Sequence, residues 1–298
     1  MNKPSSTLIA VCAPPLLLVA AAAAAQTTGL TIRHFEGGAE LYSLDLATAD
    51  LTPIGPLGLP GGQVEALAFL PSGALVAVEG AAGELHGVDP ATGEATLIGG
   101  LGIGPVDVGD LTADACGRLW MVTEAPPEGG GTSELYTIDP ATGAAELRGV
   151  LPSPVHGLAA VGEAVFTVLE NHFVEAPRIV RLDPETLALT DVGALDDFSG
   201  LLTLTLDFDD EGALVDLGVI IVPITAPPFP IIIRSDLGGG IVSTVSHPII
   251  LTTLAASPPP GFCGVPPPQA IPAVSAGGMA ALAILLAAGG AILVGRRA

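Results

Sequence analysis

The sequence has little charge, few rings and almost no base. Charged residues make up 13% of its 298 residues, about half the share usual in a soluble domain. Lys and Arg number 9 against 31 Asp and Glu, a formal net charge of −22. Lys3, Arg296 and Arg297 stand at the two ends, so the interior is more acidic still. A surface of that sign repels phosphate backbones and excludes nucleic acid as a partner. Aromatic residues amount to 4%, too few for base-stacking platforms or an aromatic sugar-binding strip. Catalytic motifs are also missing: there is no Gly-x-Ser-x-Gly elbow, no His-Glu-x-x-His and no Cys-x-x-Cys pair. Glycine (39) and proline (28) are plentiful. Together with abundant Val, Ile and Leu they mark a turn-rich folded chain, not a disordered one.

Both ends read as addresses. Lys3, an apolar core from Leu16 to Val19 and the alanines at 20–25 form a secretory signal. Ala23 and Ala25 fit the small-residue cleavage pattern, which gives a signal peptide of residues 1–25 and a mature start at Gln26. An uncleaved anchor helix is the competing reading. Cys12 does not mark a lipoprotein, because it precedes the apolar core and follows the large Val11. At the other end, residues 258–270 are a stiff proline-rich linker. An uncharged stretch, 277–295, follows and meets Arg296 and Arg297. As a helix it spans roughly 28 Å, close to a bilayer core. The arginines set that end in the cytoplasm and the central domain outside. A buried core helix is the alternative, and the lack of a polar face argues against it.

This tail resembles a bacterial protein-sorting signal of the IPTL-CTERM type, related to the PEP-CTERM and exosortase systems. The motif stands as Ile271-Pro272-Ala273-Val274-Ser275, followed by the hydrophobic helix and the arginine pair. Ala-Val replaces the usual Thr-Leu, and Gly277 stands where tryptophan is often found. The resemblance covers residues 271–298. It implies a membrane-anchored precursor, handling by export machinery and a processing protease, and delivery to the periplasm or cell surface.

The middle, residues 26–257, is a repeat. Five segments end an apolar strand in Asp: Asp45, Asp89, Asp139, Asp183 and Asp236. Two of the turns that follow are identical, Asp89-Pro90-Ala91-Thr92-Gly93 and Asp139-Pro140-Ala141-Thr142-Gly143, and a second strand ends each unit in Gly or Ser. Asp bonds forward to the turn backbone, Pro fixes φ, and Gly takes the left-handed position that closes a bulged hairpin. A Ca²⁺-binding reading of these turns is superfluous, since turn chemistry explains every residue. Between them lie second hairpins, such as Ala66–Phe69 with Leu75–Val78 around Pro71-Ser72-Gly73. Each unit of roughly 45 residues therefore holds four short strands, the content of a propeller blade. The fold expected is all-β: a propeller of five four-stranded blades, flanked by an N-terminal signal helix and a C-terminal transmembrane helix. The first unit lacks an inner strand, and residues 248–254 could return to supply it and close the ring. A solenoid of stacked sheets is the runner-up. The repeat resembles β-propellers of the beaded Leu-Tyr-x-Ile-Asp-Pro-x-Thr-Gly kind found in exported bacterial proteins, which implies architecture and not activity.

Two cysteines remain after signal removal. In an oxidising compartment, Cys116 and Cys263 can form a disulfide tying the linker to a hairpin turn; two free thiols are the alternative. Glu65, Asp110 and His156 fall near the start of the first strand in successive units. At one mouth of a channel they could hold a divalent ion, although polar residues lining a wet channel explain them more simply. Asp207-Phe208-Asp209-Asp210-Glu211-Gly212 opens like a calcium loop, but Gly218 stands where the closing glutamate belongs. Gly238-Gly239-Gly240 sits between strands and reads as a hairpin turn, not a phosphate loop. The expectation is a non-enzymatic exported propeller serving as a binding or structural module for an unidentified envelope ligand. It requires no cofactor, a divalent cation being the one candidate. The alternative is a channel-metal hydrolase of lactonase or esterase type using Glu65, Asp110 and His156. A third reading is an acidic surface that steers cationic partners.

Overall fold

Strands begin where apolar residues run in short bursts, and they stop where Asp, Pro and Gly impose a turn. A computed structural model describes residues 28–59, 63–123, 132–169, 176–195, 198, 201–220, 229–246, 251, 253–256 and 263. Among the described residues, nineteen strands form five antiparallel sheets. Blade one holds β1 (Thr28–Phe35), β2 (Gly38–Asp45) and β3 (Leu51–Pro56); blade two holds β4 (Val64–Phe69), β5 (Leu75–Glu79), β6 (Glu84–Val88) and β7 (Ala95–Gly100). Blade three holds β8 (Val108–Ala113), β9 (Leu119–Thr123), β10 (Glu134–Ile138) and β11 (Ala145–Val150). Blade four holds β12 (His156–Val161), β13 (Ala164–Leu169), β14 (Arg178–Leu182) and β15 (Leu189–Ala194). Blade five holds β16 (Leu201–Phe208), β17 (Leu214–Ile220), β18 (Phe229–Ser235) and β19 (Ile241–Ser246). Each sheet is a meander in chain order. The protein is an all-β, five-bladed propeller.

The repeated Asp closes every third hairpin in one way. Its Oδ1 accepts the N–H two residues on: Ala47 to Asp45 at 2.8 Å, Ala91 to Asp89 at 2.8 Å, Ala141 to Asp139 at 2.9 Å, Glu185 to Asp183 at 2.9 Å and Gly238 to Asp236 at 2.8 Å. The Ala91 and Ala141 amides, bonding the charged form, hold the Asp89 and Asp139 pKa values below the ordinary carboxylate value, and the Thr186 and Glu185 amides do the same for Asp183. Gly93 and Gly143 sit at φ +81° and +80°, where a Cβ is costly. Blades one and four place Ala49 and Leu187 in the same conformation.

Five apolar clusters fill the gaps between blades. One joins Leu41 and Leu57 to Leu67 and Ala77; the next joins Val78 and Leu85 to Leu111 and Met121. A third joins Trp120 and Leu135 to Leu158 and Val165, and a fourth joins Phe166 and Ile179 to Phe208 and Ile233. The fifth joins Val215 and Ile232 of blade five to Leu44 and Leu46 of blade one, through Leu251 and Leu254. A cluster between the last and first blades means that the ring is closed. The open inner position of blade one is taken by residues 253–256, while 248–250 and 252 of the segment expected there lie outside the described residues: Leu30 and Ala255 exchange N–H···O bonds of 2.8 and 2.9 Å in an isolated bridge. Thr31 Oγ1 donates to the Thr253 carbonyl at 2.6 Å, and the Ile32 amide donates to Thr253 Oγ1 at 2.8 Å. This removes the open sheet edge that blade one would otherwise present.

The signal peptide expected at 1–25, the linker expected at 258–270 apart from Cys263, the sorting motif expected at 271–275 and the transmembrane helix expected at 277–295 lie outside the described residues. Among those described, no helix is long and apolar enough to cross a membrane.

Candidate functional site

The inner strands of blades two to five each carry a bulge near their start. Register shifts fall between Val64 and Ala66, Val108 and Asp110, His156 and Ala159, and Thr203 and Thr205. A bulge adds residues that the partner strand does not match and re-aims the side chains around it. Aligned on this feature, Glu65 is the extra residue of β4, Asp110 follows the bulge of β8, and His156 precedes that of β12. They occupy three different positions of one repeat, and they face different surroundings.

Glu65 and His156 line a cavity of about 340 Å³ at one mouth of the channel. Asp110 does not. Its side chain is buried, and its carboxylate accepts the amides of Leu111 (2.8 Å), Leu158 (2.7 Å) and Leu206 (2.9 Å). Thr205 Oγ1 adds contacts of 3.0 and 3.1 Å. One carboxylate thus ties the inner strands of blades three, four and five. Burial pushes its pKa up to about 8, against the opposing pull of the Leu206, Leu158, Leu111 and Thr205 donors. Glu65, Asp110 and His156 form no metal-binding group among the described residues. The one-residue offset of the bulge is the physical reason, since it turns Asp110 from the cavity into the ring of strands.

Two further carboxylates act in the same way. Glu65 accepts the Val108 amide at 2.8 Å, linking blades two and three. Asp207 accepts the Ala256 amide at 2.6 Å, linking blade five to the returning segment. The calcium-loop spacing dissolves accordingly. Asp209 accepts from the Glu211 and Ala213 amides at 3.0 and 2.9 Å and from Arg234 Nε at 2.7 Å, while Glu211 pairs with Arg234 at 2.9 Å. The segment is an acidic hairpin turn, with Gly212 at φ +79°. Gly239, at φ +86°, likewise closes a turn, its amide donating to the Asp236 carbonyl at 3.0 Å.

All five blades contribute to the mouth. His34 on β1, Glu65 on β4, Asp107 before β8, His156 on β12 and Thr203 on β16 line the cavity. His34 Nε2 lies 2.9 Å from the Val64 carbonyl, and Thr203 Oγ1 donates to Asp216 Oδ2 at 2.9 Å. Sequence spacing missed His34 because blade one begins one strand late. It missed Asp107 because that residue precedes its strand. Two imidazoles, two carboxylates and a hydroxyl give the wall both donors and acceptors. A cavity of this size admits a small polar molecule.

Cys116 and Cys263 are joined as a disulfide, with Cα atoms 4.6 Å apart. Cys116 sits in the β8–β9 turn, where its amide donates to Asp114 at 2.9 Å.

No family model and no curated protein matches the chain. Among solved structures it is similar to a chain of a nidogen/laminin complex, at 12% identity and a TM-score of 0.48, over 76% of this chain and 97% of that one. It is also similar to a calcium-binding protein, regucalcin, from Agrobacterium tumefaciens, at 18% identity and a TM-score of 0.46, over 78% and 79%. TolB from Acinetobacter baumannii aligns at 13% identity and a TM-score of 0.44, over 78% and 67%. The fold itself is carried by the five sheets and the five clusters between them.

Proposed function

We propose that the chain is an exported propeller of the bacterial envelope that binds a small polar molecule at the mouth of its channel. The observation that carries this reading is the cavity of about 340 Å³, lined from all five blades by side chains that offer donors and acceptors. Asp110 belongs to the ring's own hydrogen bonding, and the cavity's carboxylates and imidazoles form no metal-binding group among the described residues. Binding is the reading that the donors and acceptors of this wall support best. The charged signal at Lys3 and the tail from Ile271 to Arg297 support export and later processing by a sorting protease.

Two measurements test the two halves. A thermal-shift and ligand-detected NMR screen of small polar molecules is expected to yield binders whose effect disappears in a His34→Ala, His156→Ala variant. Binders that are indifferent to both substitutions would rule the mouth out. For export, intact mass is expected to show a mature chain starting at Gln26 and lacking residues 271–298. Retention of both ends in every cell fraction would contradict delivery by a sorting signal.

A further inference from the structure

A second group of side chains lies outside the cavity wall, on the second and third strands of blade two. Strands β5 and β6 pair Glu79 with Glu84 and Ala77 with His86. Side chains alternate along a strand, so Glu79, Glu84 and His86 share one face. It is the face whose Leu75, Ala77 and Val88 pack against Ile32, Ala39 and Leu57 of blade one. The mouth is close by, since Glu79 also pairs with Val64 on β4.

His86 is 3% exposed, and neither ring nitrogen has a hydrogen-bond partner. Its Nε2 lies 3.4 Å from Glu79 Oε2 and 3.4 Å from Glu84 Oε2. That is beyond an ordinary N–H···O bond of roughly 2.7–3.2 Å. A buried imidazole left in this way is costly. A tetrahedral ion with bonds of roughly 2.0–2.2 Å sets its ligand atoms about 3.4 Å apart. The donor atoms of all three residues lie within 4.8 Å of one another.

We propose that Glu79, Glu84 and His86 bind a divalent transition-metal ion of the zinc type, with water in the fourth position. One imidazole and two carboxylates suit zinc, cobalt or nickel better than calcium, which takes oxygen ligands only. The Glu84 side chain is 37% exposed and gives the ion its path from solvent. Bound there, the ion would neutralise two acids at the interface of blades one and two. It would also satisfy Nε2 of a histidine that the fold buries.

The test titrates zinc chloride into the full-length, untagged, chelator-stripped chain with its disulfide intact. The expected result is one equivalent bound, a higher Tm and a shift of the His86 ring signals in NMR. Glu84→Gln, at a partly exposed position, should keep the metal-free Tm and weaken binding by about tenfold or more. His86→Gln should abolish binding, and if that variant fails to fold, Glu84→Gln and the His86 signals still decide. Absence of stoichiometric binding by the unaltered chain would overturn the proposal. So would equal binding by Glu84→Gln, or binding that leaves the His86 signals unmoved. A small-molecule ligand missing from the mouth would leave this result unaffected.

Discussion

Asp110 joins the inner strands of three blades. A carboxylate that gathers amides from three strands cannot be removed without leaving Leu111, Leu158 and Leu206 donors buried and unpaired. Asp110→Ala is therefore expected to destabilise the fold by about 3 kcal/mol or more in urea titrations. Asp110→Asn keeps one acceptor and should lose less. The same residue sets a pH dependence. Its folded pKa is raised to about 8 from an unfolded value near 4, so the folded chain holds a proton that the unfolded chain has released. Stability from this group consequently falls as pH climbs from about 4 to about 8. The turn aspartates Asp89, Asp139 and Asp183 have lowered values, so their contribution is lost as pH falls below about 4. Melts across pH should show this loss of Tm between about pH 4 and about pH 8, with a shallower slope in Asp110→Asn. An identical slope in both proteins would show that Asp110 is not the group responsible.

At the level of elements, one contact repeats around the ring. The outer strand of each of the first four blades carries a glycine just past its bulge, and the Asp turn of the next blade rests on it. A Cβ on Gly55 would meet the Thr92 carbonyl at 2.2 Å, one on Gly99 the Thr142 carbonyl at 2.1 Å, and one on Gly193 the backbone of Gly238 at 2.5 Å. Blade three uses Gly149 against the Leu187 side chain, at 2.4 Å. Gly99→Ala is expected to cost about 2 kcal/mol. Gly100→Ala, whose nearest atom is 3.9 Å away, should stay within about 0.5 kcal/mol. Equal losses in chemical denaturation would show that the turn does not seat on Gly99. Much of this level was legible in the sequence. The Asp-Pro-x-Thr-Gly turns and the strand-ending glycines reported their own backbone geometry, because each residue type there answers a local steric or hydrogen-bonding demand. The bulges were not legible. Val108-Gly109-Asp110 and Thr203-Leu204-Thr205 carry no common residue that marks the extra position, so alignment by strand start placed Asp110 beside Glu65. The Glu79, Glu84 and His86 group was within reach, since Glu84 and His86 stand two apart on one strand. It needed the pairing of β5 with β6 to bring in Glu79.

At the scale of the whole molecule, closure is the feature that local reading could only suggest. Composition and period announce blades, whereas the number that closes a ring depends on how the chain's end meets its start. Here the segment that follows blade five is held twice, by the bridge at residues 253–256 and by the disulfide from Cys263 to Cys116 across 147 residues. Reduction should lower stability by about 2–5 kcal/mol, seen as a lower Tm with reductant. Two thiols alkylatable without reductant would contradict the bridge. Truncation before Leu251 strips blade one of its inner strand and should yield aggregation, followed by light scattering.

Residue-resolved hydrogen exchange on the amides of Leu30 and Ala255 addresses the closed ring most directly. The account predicts protection equal to that of Leu111 and Leu158, with all four exchanging only on global unfolding. Rapid exchange at Leu30 and Ala255 beside slow exchange at Leu111 and Leu158 would mean that the blades do not join.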